Sequence, residues 1–316
     1  MRIRQRSHEL RGRDLVSIAD LSVAELELIL STALKLKRDG YPRALDGQTI
    51  ALLFEKPSLR TRVSFDVAMA QLGGHTVYLS QSEVGVGQRE PVADVARVLS
   101  RYVQGIVART YAQQTVADLA EHASVPVINA LSDEQHPCQA LADLLTIRER
   151  MGSVRGVRIA FIGDGNNVAA SLVQAGALAG AHITVASPPG YRLSEDVMIQ
   201  AEEFAGVSGG SFGTVEAPEQ AVAGVDVVYT DVWTSMGQEE THDQREAAFA
   251  AYQVTPELMG LASPRAIFMH DLPAHRGEET VDEVIEGPQS VVFDQAENRL
   301  HAQRAVLLLL LGEAGE

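Results

Sequence analysis

Cysteine, lysine and long apolar runs are all scarce in this sequence of 316 residues. Its single cysteine, Cys138, excludes an internal disulfide and suits a cytosolic compartment. No apolar run approaches the ~18 to 20 residues of a membrane span, and 306–311 reads as a short buried-helix segment. The basic start Met1-Arg-Ile-Arg lacks the apolar stretch of a signal peptide, so a cytoplasmic location is expected. No cysteine/histidine cluster has ligand spacing, so neither a metal nor an organic cofactor is expected. Lysine occurs only at Lys35, Lys37 and Lys56, and the formal net charge is −16. That charge argues against nucleic acid as a partner. It also means that any site for anions must concentrate positive charge locally.

What remains is ordinary globular composition, 46% hydrophobic and 22% charged, in a chain long enough for two cores. Strand-like and helix-like runs alternate along it. Strands are expected at 49–54, 76–79, 105–108, 125–129, 157–162, 182–186, 225–230 and 266–269. Helices are expected at 23–37, 61–72, 92–102, 114–122, 136–151, 168–179, 194–204 and 297–311. Such alternation means parallel sheets with crossover helices, an α/β fold of two doubly wound domains joined by long helices. The pattern restarts after the long helix, near Gly152 and Gly156, which gives a first domain of 1–150 and a second of 151–296. Ligands of parallel α/β sheets bind beyond the carboxyl ends of the strands. The chemically suggestive segments all fall at such ends, which points to one shared site in an interdomain cleft.

The strand 49–54 runs into Glu-Lys-Pro and then Ser58-Leu-Arg-Thr-Arg62 at a helix start. Backbone N–H groups and the helix dipole there favour a phosphate, and Ser58, Thr61, Arg60 and Arg62 add hydroxyl and guanidinium donors. Many helices open with Ser and Arg, so this segment alone is weak. Arg109 follows the strand Gly105-Ile-Val-Ala108. His136-Pro-Cys-Gln139 opens the long helix, with Pro137 at a favoured first position. Taken alone, His136 is a cap. Beside the phosphate segment it reads as a neutral imidazole donating to a developing oxyanion, with Gln139 reading an amide. Cys138 has no base beside it and reads as a packing residue. Ile162-Gly-Asp-Gly-Asn-Asn167 lacks the third glycine and the acidic strand tip of a dinucleotide fingerprint. Asp231-Val-Trp-Thr-Ser-Met-Gly237 offers a carboxylate and, four residues on, a hydroxyl, the pair a zwitterion requires. A turn formed by Asp or Ser is the plain alternative.

These segments, with His270-Asp-Leu-Pro273, resemble in order and spacing the transcarbamoylases, most closely those acting on ornithine, over nearly the whole chain. The resemblance implies a carbamoyl-phosphate domain to which the last helix, 297–316, returns, and an ornithine domain. It implies transfer of the carbamoyl group of carbamoyl phosphate to the δ-amine of L-ornithine, giving citrulline and phosphate, in a homotrimer or a multiple of it. Carbamoyl phosphate would be held by Ser58, Leu59, Arg60, Thr61, Gly85, Arg109, His136, Gln139 and Arg299. Ornithine would be held by Asn167, Asp231, Ser235, Met236, Asp271 and Leu272, with Arg109, His136, Asp231 and Asp271 at the chemistry. Three positions depart from the family pattern. Leu59 replaces a threonine, Gly85 stands where a glutamine commonly reaches a neighbouring subunit's site, and Asp271 replaces the cysteine of His-Cys-Leu-Pro. A carboxylate at 271 would either hold the δ-ammonium's proton in place or accept it. The rival functions are a transcarbamoylase for another amine, a non-catalytic carbamoyl-phosphate-binding homologue and, more distantly, a nucleotide-dependent oxidoreductase.

Overall fold

Apolar residues on both faces of a strand bury it between two layers of helix, and β1 (Thr49–Phe54) is of this kind, buried from Ile50 onwards. A computed structural model describes residues 10–235, 237 and 239–312. Contacts divide the chain into two compact units, 1–145 with 297–316, and 146–296.

In the first unit β1, β2 (His75–Ser80), β3 (Gly105–Arg109) and β4 (Val127–Leu131) form a parallel sheet in the order β2-β1-β3-β4. The register sets Phe54 level with both Ser80 and Arg109, so three strands end in one row. Helix α1 (Val23–Asp39) starts at Ser22, whose hydroxyl accepts from Glu25 N–H while the Glu25 carboxylate accepts from Ser22 N–H. Four further helices follow: α2 (Leu59–Gln71), α3 (Val92–Leu99), α4 (Gln113–His122) and α5 (Pro137–Met151). Helix α3 stops three residues short of the expected end, because the Ser100 hydroxyl turns back onto Ala96 C=O at 2.7 Å.

In the second unit the order is β7-β6-β5-β8-β9, again all parallel, with β5 (Arg158–Ile162), β6 (His182–Ala186), β7 (Ser211–Val215), β8 (Val227–Thr230) and β9 (Ile267–Met269). Its helices include α6 (Asn167–Leu178), α7 (Glu195–Ser208), α8 (His242–Phe249) and the long closing helix α9 (Val292–Leu311), which runs on into the first unit's residues. Strand β7 and helix α8 have no counterpart among the sequence expectations, and α9 begins five residues before the expected start. Side chains of Phe161 and Tyr229 stack across β5 and β8 at 5.5 Å, and Trp233, Phe249 and Tyr252 fill the core beneath the β8 loop.

Candidate active site

Strand order decides where each sheet can bind a ligand. In the first unit β2 and β3 flank β1 on opposite sides, so the loops leaving β1 and β3 diverge and open a crevice at a switch point. In the second unit β6 and β8 flank β5, and the switch point lies between the loops after β5 and β8.

At the first switch point Ser58 caps α2. Its Oγ accepts from Thr61 N–H at 3.2 Å and donates to Thr61 Oγ1 at 3.0 Å. Leu59, Arg60 and Thr61 form the first turn, where amides and dipole draw an anion. Arg299 reaches in from α9 and donates to Thr61 Oγ1 at 3.0 Å and to Gln139 Oε1; Gln139 in turn donates to Asp143 at 2.8 Å. Thr61, Gln139, Asp143 and Arg299 are all buried, as are Arg109 and His136. Burial first, then Arg299 and Arg109, hold the His136 pKa well below its usual 6.5, so the ring is neutral. Lys56 lies 4.4 Å over the Tyr111 ring, its pKa lowered by burial and by Arg109 against the pull of Asp133 and Glu55. Positive charge is therefore concentrated here despite the chain's net charge.

One sequence expectation changes in this unit, that of Arg62. Arg62 lies on the Tyr78 ring, 3.8 Å from guanidinium carbon to centroid. Two helical steps turn it about 200° from Arg60, so it does not join the phosphate donors as expected. Leu59 is 76% exposed and contributes only backbone to the turn. Gly85 ends a short helical turn at φ 64°, and a Cβ there would come 2.8 Å from Arg89 Cβ. This loop conformation demands glycine, which accounts for the missing glutamine. Cys138 is buried with its pKa pushed up to about 12, and its Sγ donates to Asn129 C=O at 3.4 Å, as a packing residue would.

At the second switch point Asp231 ends β8. Asn166 Nδ2 donates to its Oδ2 and Val232 N–H to its Oδ1, each at 2.7 Å. Asn166 also caps α6, accepting from Val168 and Ala169 N–H, while Asn167 Oδ1 shares the Val168 amide. Carboxyl oxygens of Asp231 and Asp271 and a ring nitrogen of His270 lie within 4.8 Å of one another. Burial first, then Asp271, raises the Asp231 pKa well above the usual carboxylate range. His270 Nε2 faces Glu279 Oε1 at 2.9 Å, and the Leu272 nitrogen lies 2.9 Å from its Nδ1. Burial lowers the His270 pKa, while Asp271 and Glu279 more than reverse that. Asp271 and Glu279 thus favour the charged ring, with Nδ1 lying 3.4 Å from Asp271 Oδ1, while the Leu272 amide approaches the same nitrogen. Leu272 achieves this at φ 62°, a conformation costly for a non-glycine residue. Arg276, five residues on from Asp271, engages Asp282 and Glu286 at 2.6 Å each.

The loop 163–167 is held from the side. Arg245 of α8 donates to Asp164 at 2.6 Å, both side chains are buried, and burial raises the Asp164 pKa to about 6 despite Arg245. A Cβ on Gly165 would meet Leu193 N at 2.3 Å, so this loop packs backbone against backbone and leaves no room for a side chain there. Trp233 is buried and stacks on Phe249, fixing the start of the β8 loop, and Ser235 is half-buried. Met236 lies outside the described residues. Among those described, one other group, His275, Glu278 and Glu279, brings three ligand-type atoms within 4.8 Å. Sequence reasoning passed over Lys56, Asn166, Asp164, Arg245 and Glu279. The doubled Asn166-Asn167 at a helix start was the one visible signal.

The profile of the aspartate/ornithine carbamoyltransferase carbamoyl-P binding domain matches residues 13–149, and that of the Asp/Orn binding domain matches 155–310. The chain belongs to the aspartate/ornithine carbamoyltransferase family. Within that family it is 54% identical to an ornithine carbamoyltransferase of Pyrococcus abyssi, over 96% of this chain and 97% of the relative. It is 53% identical to one of Acidothermus cellulolyticus, over 96% and 98%. The solved ornithine carbamoyltransferase of Pyrococcus furiosus superposes with a TM-score of 0.93 at 53% identity, covering 96% of this chain and 98% of that one.

Proposed function

We propose that this protein transfers the carbamoyl group of carbamoyl phosphate to the δ-amine of L-ornithine, giving L-citrulline and phosphate. The observation that carries the proposal is the division of charge between two switch points. Buried Arg109 and Arg299, with Lys56 beside them, surround neutral His136 in one unit, and paired acids Asp231 and Asp271 end strands in the other. The near full-length relatives named ornithine carbamoyltransferase support the acceptor.

In the proposed reaction Ser58, Arg60, Thr61 and Arg109 hold the phosphate. Arg109, Thr61 and His136 donate to the carbonyl oxygen, where negative charge grows in the transition state. Arg299 holds Thr61 and Gln139 in register for that task. Asn167, Ser235 and Met236 take the α-carboxylate and Asp231 the α-ammonium, with Asp271 and Leu272 towards the δ-nitrogen. The neutral δ-amine attacks the carbonyl carbon, the C–O bond to phosphate breaks, and the amine's proton leaves with the phosphate. No cofactor or metal enters this chemistry.

The assembly we propose is a homotrimer in the cytoplasm. Leu59, Val63 and Val67 form an exposed apolar stripe at i, i+4 and i+8 on α2, beside exposed Val77 of edge strand β2, which supports a subunit contact there. No described helix is long and apolar enough to cross a membrane.

A citrulline assay with carbamoyl phosphate and ornithine, run beside aspartate, putrescine and N-acetylornithine, tests the acceptor. Turnover is expected with ornithine. Preference for another amine overturns the acceptor, and carbamoyl phosphate binding without turnover overturns catalysis.

A further inference from the structure

Between α2 and α9, a side chain that the proposed chemistry leaves unassigned closes a ring of hydrogen bonds around Thr61. Gln303 is wholly buried, and the groups around it fix which way its amide points. Its Oε1 accepts from Arg299 Nη2 at 3.3 Å, while its Nε2 donates to Ser64 Oγ at 2.5 Å and to Arg299 C=O at 3.3 Å. The reverse orientation would set oxygen against acceptors and nitrogen against donors. Ser64 Oγ donates onward to Thr61 C=O at 3.2 Å, and Arg299 Nη2 returns to Thr61 Oγ1 at 3.0 Å. Thr61, Ser64, Gln303 and Arg299 are linked head to tail, so none can turn without breaking a contact of the next.

That ring decides what the Thr61 hydroxyl can do. Its oxygen accepts from Ser58 Oγ and from Arg299 Nη2, so it has only its own proton left to give. A donor is what a carbonyl oxygen needs as it gains negative charge. Glutamine suits the far side of the ring, because it accepts from Arg299 without cancelling the positive charge that a phosphate requires. We infer that Gln303 is a positioning residue for carbamoyl transfer: it holds Arg299 against Thr61 and so keeps the Thr61 hydroxyl a donor to the carbonyl oxygen. The inference rests on the reading of this helix start as the carbamoyl phosphate site. Gln303 itself touches no substrate. The carbonyl oxygen gains its charge only in the transition state, so loss of Gln303 slows the reaction more than it weakens binding.

Gln303→Leu removes both ends of the amide at similar volume. Kinetics with carbamoyl phosphate and ornithine are expected to show kcat lowered about 10- to 100-fold and KM for carbamoyl phosphate changed less than about threefold. Inorganic phosphate, which has no carbonyl, should bind the variant as it binds the wild type in calorimetry. Gln303→Glu gives Arg299 its acceptor back and is expected to raise kcat at least about fivefold above the leucine variant. An unchanged kcat in Gln303→Leu, a rise in KM without a fall in kcat, or equal kcat in the two variants overturns the inference. Should Gln303→Leu fail to fold, Ser64→Ala cuts the same ring at a smaller side chain, and a kcat equal to that of the wild type overturns the inference. If the wild type makes no citrulline, the proposed function has failed, and crystal structures of the variants decide the positioning role. Arg299 Nη2 is then expected to leave Thr61 Oγ1 in Gln303→Leu, and its staying at 3.0 Å overturns the inference.

Discussion

His136 is buried near Arg109 and Arg299, and an imidazolium there would be a third cation in a buried space. Remaining neutral, the ring offers a hydrogen-bond donor to a carbonyl without adding charge that would compete with the arginines for phosphate. The same depression of its pKa has a cost in stability at low pH. Above the ordinary value of 6.5 the ring is neutral whether the chain is folded or not. Below it the unfolded chain takes up a proton that the folded chain refuses, so stability falls as pH falls, by about 1.4 kcal/mol per pH unit until the lowered pKa is reached. His136→Gln removes this term. The stability difference between wild type and variant, measured by denaturant unfolding, should therefore shift in the variant's favour between pH 6.5 and pH 5. A constant difference across that range would mean that His136 is charged when folded.

Helix α8 and the loop 163–167 are joined by one buried ion pair, Arg245 to Asp164, with Arg245 also lying over the Tyr191 ring at 4.9 Å. The loop carries Asn166, which holds Asp231, so the pair positions one wall of the acidic pocket. Arg245→Met leaves a carboxylate buried without its cation and should cost roughly 3 to 5 kcal/mol. Asp164→Asn in the same chain removes that charge, and the double variant should recover at least about 1 kcal/mol relative to additivity. Strictly additive losses would mean that the two side chains do not depend on each other. Neither α8 nor the pair was legible in the sequence, because a buried arginine reads as a surface residue in His242-Asp-Gln-Arg-Glu. Strand β7 escaped for a related reason: it is a half-exposed edge strand with Gly213 in its middle, so it has neither a continuous apolar run nor alternation. The interior strands β1, β3, β5 and β8 were legible, being buried on both faces and ending in changes of polarity. Arg109, His136 and Asp231 stood out for that reason, at strand ends or a helix start. The Arg299 links to Thr61 and Gln139, across 238 and 160 residues of chain, could not be seen without the fold.

The whole chain carries −16 charges, and like-charged subunits repel one another when they assemble. An apolar stripe of Leu59, Val63 and Val67 must overcome that repulsion if the proposed trimer forms through α2. Two terms with different salt dependence are therefore opposed. Apolar burial changes little with modest salt, whereas repulsion between exposed charges reaches about 30 Å at 0.01 M ionic strength and about 8 Å at 0.15 M. Sedimentation should accordingly find the assembly tightening as ionic strength rises over that range, the reverse of an interface held by surface ion pairs. Val63→Glu places a charge in the middle of the stripe, on a side chain already half open to solvent in the single chain. It should leave the circular dichroism of the subunit unchanged while shifting sedimentation from trimer towards monomer at every salt concentration. A variant that still sediments as wild type would remove α2 from the subunit contact, whatever the assembly proves to be.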